Sequence, residues 1–224
     1  MKRIAASALG LALSAAATLA LAQAPAAPKD VPEDHRPPLA FREDFLNEPN
    51  ETPVTMASIK NKALKFSLWG PGANMVAKSW HASPKDESGY IWTGSCTQIC
   101  GFTLYDPAAY LDLRDLAKIT WRTKSTGFHQ LRLMIKLADG KVLVGDKTEP
   151  VSRDWHVSEM TIADIEWHEL NTKTMTDYPV VKAPDLSKVA EIGWTDLMAG
   201  SGHGTPGGST RVDWFEVYAR KVPR

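Results

Sequence analysis

Gln130-Leu131-Arg132-Leu133-Met134-Ile135-Lys136-Leu137-Ala138 sets Leu131, Leu133, Ile135 and Leu137 against Arg132, Met134 and Lys136. An apolar residue at every second position over such a length marks a strand with one buried face. Ala63 to Trp69 repeats the pattern, interleaving Leu64, Phe66 and Leu68 with Lys65 and Ser67. Thr210 to Arg220 places Val212, Trp214 and Tyr218 on one face and Phe215, Val217 and Ala219 on the other. Shorter strand candidates are Met75–Ser79, Tyr90–Thr93, Gly101–Tyr105, Ile119–Lys124, Val142–Val144, His156–Ile162 and Glu191–Thr195. Asp139-Gly140 between two of them is a hairpin turn pair. Beyond the N-terminal leader no stretch sustains a helical period. Many short strands parted by turn residues predict an all-β, single-domain β-sandwich of the jelly-roll type.

An internal echo adds to this. Asp112-Leu113-Arg114-Asp115-Leu116-Ala117-Lys118-Ile119-Thr120-Trp121 matches Asp185-Leu186-Ser187-Lys188-Val189-Ala190-Glu191-Ile192-Gly193-Trp194. Each begins with an Asp able to cap a single helical turn and then runs into an alternating strand. Read as a repeat, the two mark equivalent entries into the two sheets; read as turn chemistry, they coincide by composition.

Met1-Lys2-Arg3 followed by the uncharged, Ala- and Leu-rich run Ile4 to Ala22 is a secretory signal peptide, residues 1–22, with cleavage expected before Gln23. The same run retained would be a membrane anchor; with cleavage, no membrane insertion is expected. Residues 23–40 hold Pro25, Pro28, Pro32, Pro37 and Pro38 and read as an extended tether. The folded domain is expected over residues 41–224. The compartment is then periplasmic or extracellular.

The chain has 26 Lys and Arg against 26 Asp and Glu in 224 residues. Loss of Lys2 and Arg3 with the leader would leave it mildly acidic. No basic block appears, which speaks against a nucleic-acid partner. Two Cys exclude a dense disulfide scaffold or a four-thiolate metal site. Eight Trp is the unusual entry. Trp121, Trp194 and Trp214 lie among apolar strand neighbours and read as core. Trp69, Trp80 and Trp92 lie at strand ends, where an indole serves equally as core or as a platform for the apolar face of a sugar.

Leu111-Asp112-Leu113, Ile119-Thr120-Trp121-Arg122, Leu131–Leu137 with Asp139-Gly140, Ser152-Arg153-Asp154-Trp155 and Ile162-Ala163-Asp164-Ile165 together resemble the galactose-binding-like jelly rolls. Within these the pattern is closest to the complex I intermediate-associated protein 30 domain and related carbohydrate-binding modules. Val212-Asp213-Trp214-Phe215-Glu216-Val217-Tyr218 resembles their last strand. The resemblance implies the fold over about residues 41–220 and leaves function open, because such folds host sugar binding, protein binding and catalysis. It also implies a possible structural calcium between first and last strands, with Glu43 or Asp44 and Asp213 or Glu216 as oxygen ligands.

Cys96 and Cys100 would stand about 13 Å apart in a straight strand, too far to bridge. A turn through Thr97-Gln98 would join them, and in an exported protein a disulfide is the default. Gly200-Ser201-Gly202-His203-Gly204-Thr205-Pro206-Gly207-Gly208 brings an imidazole into a glycine-rich loop, with Asp196 as its nearest carboxylate in sequence. His203 and Glu166 are the catalytic candidates; Trp80, His81, Trp92, Asp196 and His203 are the ligand-binding candidates. Histidine spacing fits no zinc motif. The expected function is an exported, non-catalytic domain binding carbohydrate or a similar polyhydroxylated ligand. The alternatives are a glycoside hydrolase or polysaccharide lyase on the same scaffold, and a protein-binding assembly factor.

Overall fold

In the computed structural model, residues 36–83, 88–127, 129–197 and 209–224 are described. The signal-peptide reading, most of the tether and the His203 loop lie outside them. The strands are β1 (Leu39–Glu43), β2 (Lys65–Trp69), β3 (Ala77–Ser79), β4 (Tyr90–Trp92) and β5 (Cys100–Tyr105). They continue as β6 (Ala109–Asp112), β7 (Lys118–Thr126), β8 (Leu131–Leu137), β9 (Val142–Thr148) and β10 (His156–Thr161). The last five are β11 (Trp167–Asn171), β12 (Thr176–Val180), β13 (Val189–Asp196), β14 (Ser209–Tyr218) and β15 (Arg220–Pro223). A six-stranded sheet runs β10-β7-β14-β4-β3, with β1 on β14. A nine-stranded sheet runs β12-β11-β9-β8-β13-β5-β2, with β6 on β13 and β15 on β6. The strand pairs are antiparallel. This is the expected all-β sandwich.

The two sheets meet through aromatic rings. Trp121 on β7 lies 5.9 Å from Phe215 on β14, and Phe215 lies 5.5 Å from Trp194 on β13. Trp194 in turn stands 5.0 Å from Phe102 on β5. All four side chains are fully buried. The Trp121 indole N–H donates to Glu149 at 2.9 Å. Glu149 leaves β9 of one sheet and also accepts from Ser158 Oγ at 2.7 Å on β10 of the other. His156 Nε2 lies 2.5 Å from the same carboxylate. A buried carboxylate met by this many donors ties the sheets at that end.

The echo proves to be architectural. Its two copies feed β7 and β13, one strand in each sheet, and each delivers a fully buried Trp to the shared core. The copies touch: the Leu113 amide donates to the Leu186 carbonyl at 2.9 Å. Each Asp makes a tight turn rather than a helix, with Asp112 Oδ1 accepting the Arg114 amide at 3.2 Å and Asp185 Oδ1 the Ser187 amide at 3.0 Å.

One expectation needs correction. Register runs Val212↔Thr123 and then Trp214↔Arg122, so Asp213 is the extra residue of a β-bulge. Past a bulge the alternation changes parity. Val212, Phe215 and Val217 therefore all face the core, whereas Trp214 turns outward and is half-buried. Trp214 is not core. The guanidinium of Arg42 lies 4.4 Å from its ring.

Two outcomes follow. Trp194→Ala removes the ring that joins β13, β5 and β14, and should cost about 3–5 kcal/mol of unfolding free energy in a urea titration. Hydrogen bonds from Arg114, and then its charge, hold Asp112 below the ordinary carboxylate range. A depressed folded value gives stability that is present above about pH 4 and lost as pH falls through the folded pKa. The urea midpoint should therefore drop between pH 6 and pH 3, and drop less in Asp112→Asn.

Candidate functional site

Phe66, Leu68, Phe102, Leu104, Ile192 and Trp194 turn into the sandwich, so their strand neighbours define the outer face of the nine-stranded sheet. Register sets Trp69 beside Gly101, Ser67 beside Thr103, Thr103 beside Gly193 and Glu191 beside Lys136. Four of these side chains close a ring. Trp69 Nε1 donates to Thr103 Oγ1 at 2.7 Å, and Thr103 donates to Glu191 Oε2 at 2.6 Å. Lys136 Nζ donates to Glu191 Oε1 at 2.9 Å and stands 5.4 Å from the Trp69 ring. Thr103 and Glu191 are buried although they point away from the core, while Trp69 and Lys136 remain half-exposed above them.

Glycines shape the surroundings. A Cβ on Gly193 would lie 2.0 Å from the Phe102 carbonyl oxygen, so the close approach of β13 to β5 admits no side chain there. Met134 and Met175 occupy the space over Gly101. Farther out, Arg132 pairs with Asp177 at 3.0 Å. Arg224 lies over Tyr110 at 4.8 Å and Tyr105 at 5.7 Å. Behind Trp69 the chain reverses at Gly70, whose φ is +83°, and the Gly72 amide donates to the Ile99 carbonyl at 3.1 Å. That carbonyl belongs to the loop closed by the Cys96–Cys100 disulfide, with Cα atoms 6.3 Å apart. The expected bridge is formed. It stiffens the support of Trp69 as well as the end of β4, where Ser95 Oγ donates to the Trp92 carbonyl at 3.2 Å.

The outer face of the six-stranded sheet is a second aromatic surface. The Arg211 guanidinium lies 5.2 Å from the Tyr90 ring and 5.6 Å from the Trp92 ring. Tyr90 also meets Trp155 at 5.7 Å and His81 at 6.4 Å. Arg122 stands 5.1 Å over Trp155 and pairs with buried Asp213 at 2.5 Å. Lys118 lies 5.1 Å over Tyr218, whose phenol is pushed above its usual range by burial and by Glu216.

The residues nominated from sequence divide between places. His81 approaches Tyr90 and Trp92 approaches Arg211 on the six-stranded face, and Arg211 also lies over Tyr90. Trp80 is half-buried just beyond β3, its carbonyl accepting from Asn50 at 3.0 Å. Asp196 ends β13, is buried, and pairs with Nδ1 of buried His129. His203 lies outside the described residues. Glu166 is exposed before β11, 3.7 Å from His168 Nε2, and is not joined to the other candidates. Of the carboxylates proposed for calcium, Asp44 and Glu216 pair with Arg42 at 2.7 and 2.6 Å and Asp213 pairs with Arg122, while Glu43 accepts the backbone amides of Phe45, Lys60 and Asn61. Among the described residues no group of three or more His, Cys, Asp or Glu is placed to hold a metal ion.

Sequence reading passed over Thr103, Glu191, Lys136, Tyr90, Trp155 and Arg211. Parity offered a clue, because Glu191 and Lys136 alternate against Ile192 and Ile135 and so must face outward. That they lie side by side depends on strand pairing, which no local pattern reveals.

No family model and no characterised protein matches the sequence. Solved structures do align with it. A family 11 carbohydrate-binding module of the cellulosomal cellulase Lic26A-Cel5E of Clostridium thermocellum aligns at 13% identity, covering 77% of this chain and 95% of its own, TM-score 0.39. The same family's module in complex with a β-1,3-1,4-mixed-linked tetrasaccharide aligns at 16% identity, covering 80% and 96%, TM-score 0.38. The carbohydrate recognition domain of Emp47p aligns at 12% identity, covering 84% and 96%, TM-score 0.39. The two-sheet fold itself stands on the strand pairing described above.

Removing Glu191 strands both its donors. Glu191→Ala should cost about 1–3 kcal/mol in urea unfolding, whereas Glu191→Gln, which still accepts from Thr103, should cost less.

Proposed function

We propose that this chain is an exported carbohydrate-binding domain with no catalysis of its own, and that the glycan lies on the outer face of the nine-stranded sheet. The observation that carries this is the closed ring of Trp69, Thr103, Glu191 and Lys136. An indole presents an apolar surface to the C–H face of a sugar, and flanking ammonium and carboxylate groups meet its hydroxyls. Because the indole is held at its N–H and over its ring, little freedom is lost when a ligand settles on it. Glu191 serves here as a neutralised hydrogen-bonding group, since Lys136 and Thr103 already engage both its oxygens. A free acid–base carboxylate would be left with an oxygen to spare. The disulfide supports the exported compartment, where such bonds persist.

Affinity electrophoresis through neutral polysaccharides, including β-glucans, tests the reading. The wild type should be retarded by at least one of them, with no release of reducing ends. Trp69→Ala should weaken that retardation about tenfold, which corresponds to roughly 1.4 kcal/mol. Passage of the wild type through every neutral polymer unretarded, or unchanged retardation of Trp69→Ala, overturns it.

A further inference from the structure

The outer face of the nine-stranded sheet is walled at one end and open at the other. At one end Trp69 lies beside Gly101, and Thr195 lies between Gly101 and Arg132. Gly101 and Thr195 are buried there although they point away from the core. At the other end Lys65 lies beside Tyr105 and Glu191 beside Lys136. Lys65 is exposed, and Tyr105 and Lys136 are half-exposed.

The walled end is covered by a second apolar cluster. Met134, Val144, Leu170 and Met175 are buried on this outer face, with Trp69 and Ile99 packed against them. Met175 comes from farthest away. It closes the turn between β11 and β12, and β9, β8 and β13 separate that hairpin from β5 in the sheet. Its side chain nevertheless reaches the far strands. A Cβ on Gly70 would lie 2.5 Å from Met175 Cγ, and one on Gly101 would lie 3.3 Å from Met175 Cε. The two glycines leave the room that Met175 fills. The turn presenting it is well held: Asn171 Oδ1 accepts the amides of Lys173 and Thr174 at 3.0 and 3.3 Å. The Met175 amide donates to the Asn171 carbonyl at 2.6 Å, and Met175 keeps a left-handed φ of +54°. Arg132 pairs with Asp177 at 3.0 Å and ties β12 to β8.

Trp69 therefore stands at the foot of a built wall. Toward the open end the next ring on β5 is Tyr105, with Arg224 5.7 Å over it. Arg224 is itself anchored to the carbonyls of Ala109 and Ala190 at 3.3 and 3.0 Å. From Gly101, the neighbour of Trp69, to Tyr105 the strand advances about 13 Å, farther than one pyranose reaches. A glycan touching both rings runs along β2 and β5, straight at Met175.

Resting on the glycan reading above, we infer that this face takes the end of a glycan chain and not its middle. The terminal sugar settles on Trp69 against Met175. The sugars behind it pass Glu191 and Lys136 and leave over Tyr105. A chain interior laid on the same line would have to continue through Met175.

The probe is a soluble β-glucan, or whichever neutral polymer retards the wild type, cut into fractions of defined chain length. Calorimetric titration of the full chain should find one protein bound per glycan chain in long and short fractions alike. Fragments too short to reach Tyr105 should bind about tenfold more weakly. Tyr105→Ala should weaken the longer fragments to that level and leave the shortest unchanged. Met175→Ala lowers the wall, and each long chain should then carry more than one protein; a urea titration checks that the variant is folded. Borohydride reduction of the glycan separates the two chain ends: lost binding assigns the reducing end, and retained binding assigns the non-reducing end. Wild-type stoichiometry that rises with chain length overturns the inference and leaves the glycan reading intact. So does equal weakening of long and short fragments by Tyr105→Ala, or a folded Met175→Ala still limited to one protein per chain. Failure to bind any neutral polymer, or binding indifferent to Trp69→Ala, overturns both.

Discussion

Phe215 is the residue on which both sheets close. Its ring meets Trp121 within its own sheet at 5.9 Å and Trp194 across the sandwich at 5.5 Å. Each of those tryptophans arrives by the same route, an Asp-initiated turn followed by an alternating strand. The two turns are joined by a backbone hydrogen bond from Leu113 to Leu186. Pairing β7 with β14 and β13 with β5 thus becomes a single packing problem, because a register slip of one residue in either sheet would turn its tryptophan toward solvent. The outer faces inherit their geometry from this constraint. Glu191 meets Lys136, and Arg211 meets Lys124, only because the inner residues beside them are fixed against one another.

How much of this was legible in the sequence follows from which links are local. Strand alternation is local, and Leu131, Leu133, Ile135 and Leu137 turn inward as their pattern dictates before a turn where Gly140 adopts φ +91°, although Met134 on the other face is also buried, under Val142, Val144, Leu170 and Met175. The paired Asp-Leu segments were legible for the same reason. Trp214 was misplaced because alternation presumes an unbroken ladder, and a bulged Asp213 leaves no mark in a run of ten strand residues. The bulge does have a chemical basis. The inserted carboxylate is buried, and Ser88 and Arg122 engage it, so the irregularity is stabilised by partners far away in sequence. The Trp69 ring was illegible for a related reason. Its members come from β2, β5, β8 and β13, and only the topology brings them together.

The balance of 26 cations and 26 anions also acquires a spatial meaning. On both outer faces, cations lie over aromatic rings while carboxylates neutralise them from the side: Arg42 on Trp214, Arg122 on Trp155, Lys136 on Trp69. Isolated surface ion pairs contribute little to stability. A guanidinium or ammonium fixed against a ring and bonded to a carboxylate does something different. It restrains the ring and covers one of its faces, leaving the other to solvent or ligand.

The eight tryptophans divide along the same line. Trp121, Trp167 and Trp194 are buried and serve the interior, and of these Trp121 anchors its N–H to Glu149. Trp69, Trp80, Trp92, Trp155 and Trp214 are only half-buried. A large apolar side chain left partly in water forgoes some of the stabilisation that full burial would give. Holding Trp69, Trp92 and Trp214 on sheet strands rather than on loops fixes their spacing by the hydrogen-bond ladder, and the surrounding charges restrain their tilt. The freedom an aromatic side chain would lose on meeting a ligand has therefore already been lost in folding, which is the condition under which a shallow, solvent-facing surface can bind with useful affinity.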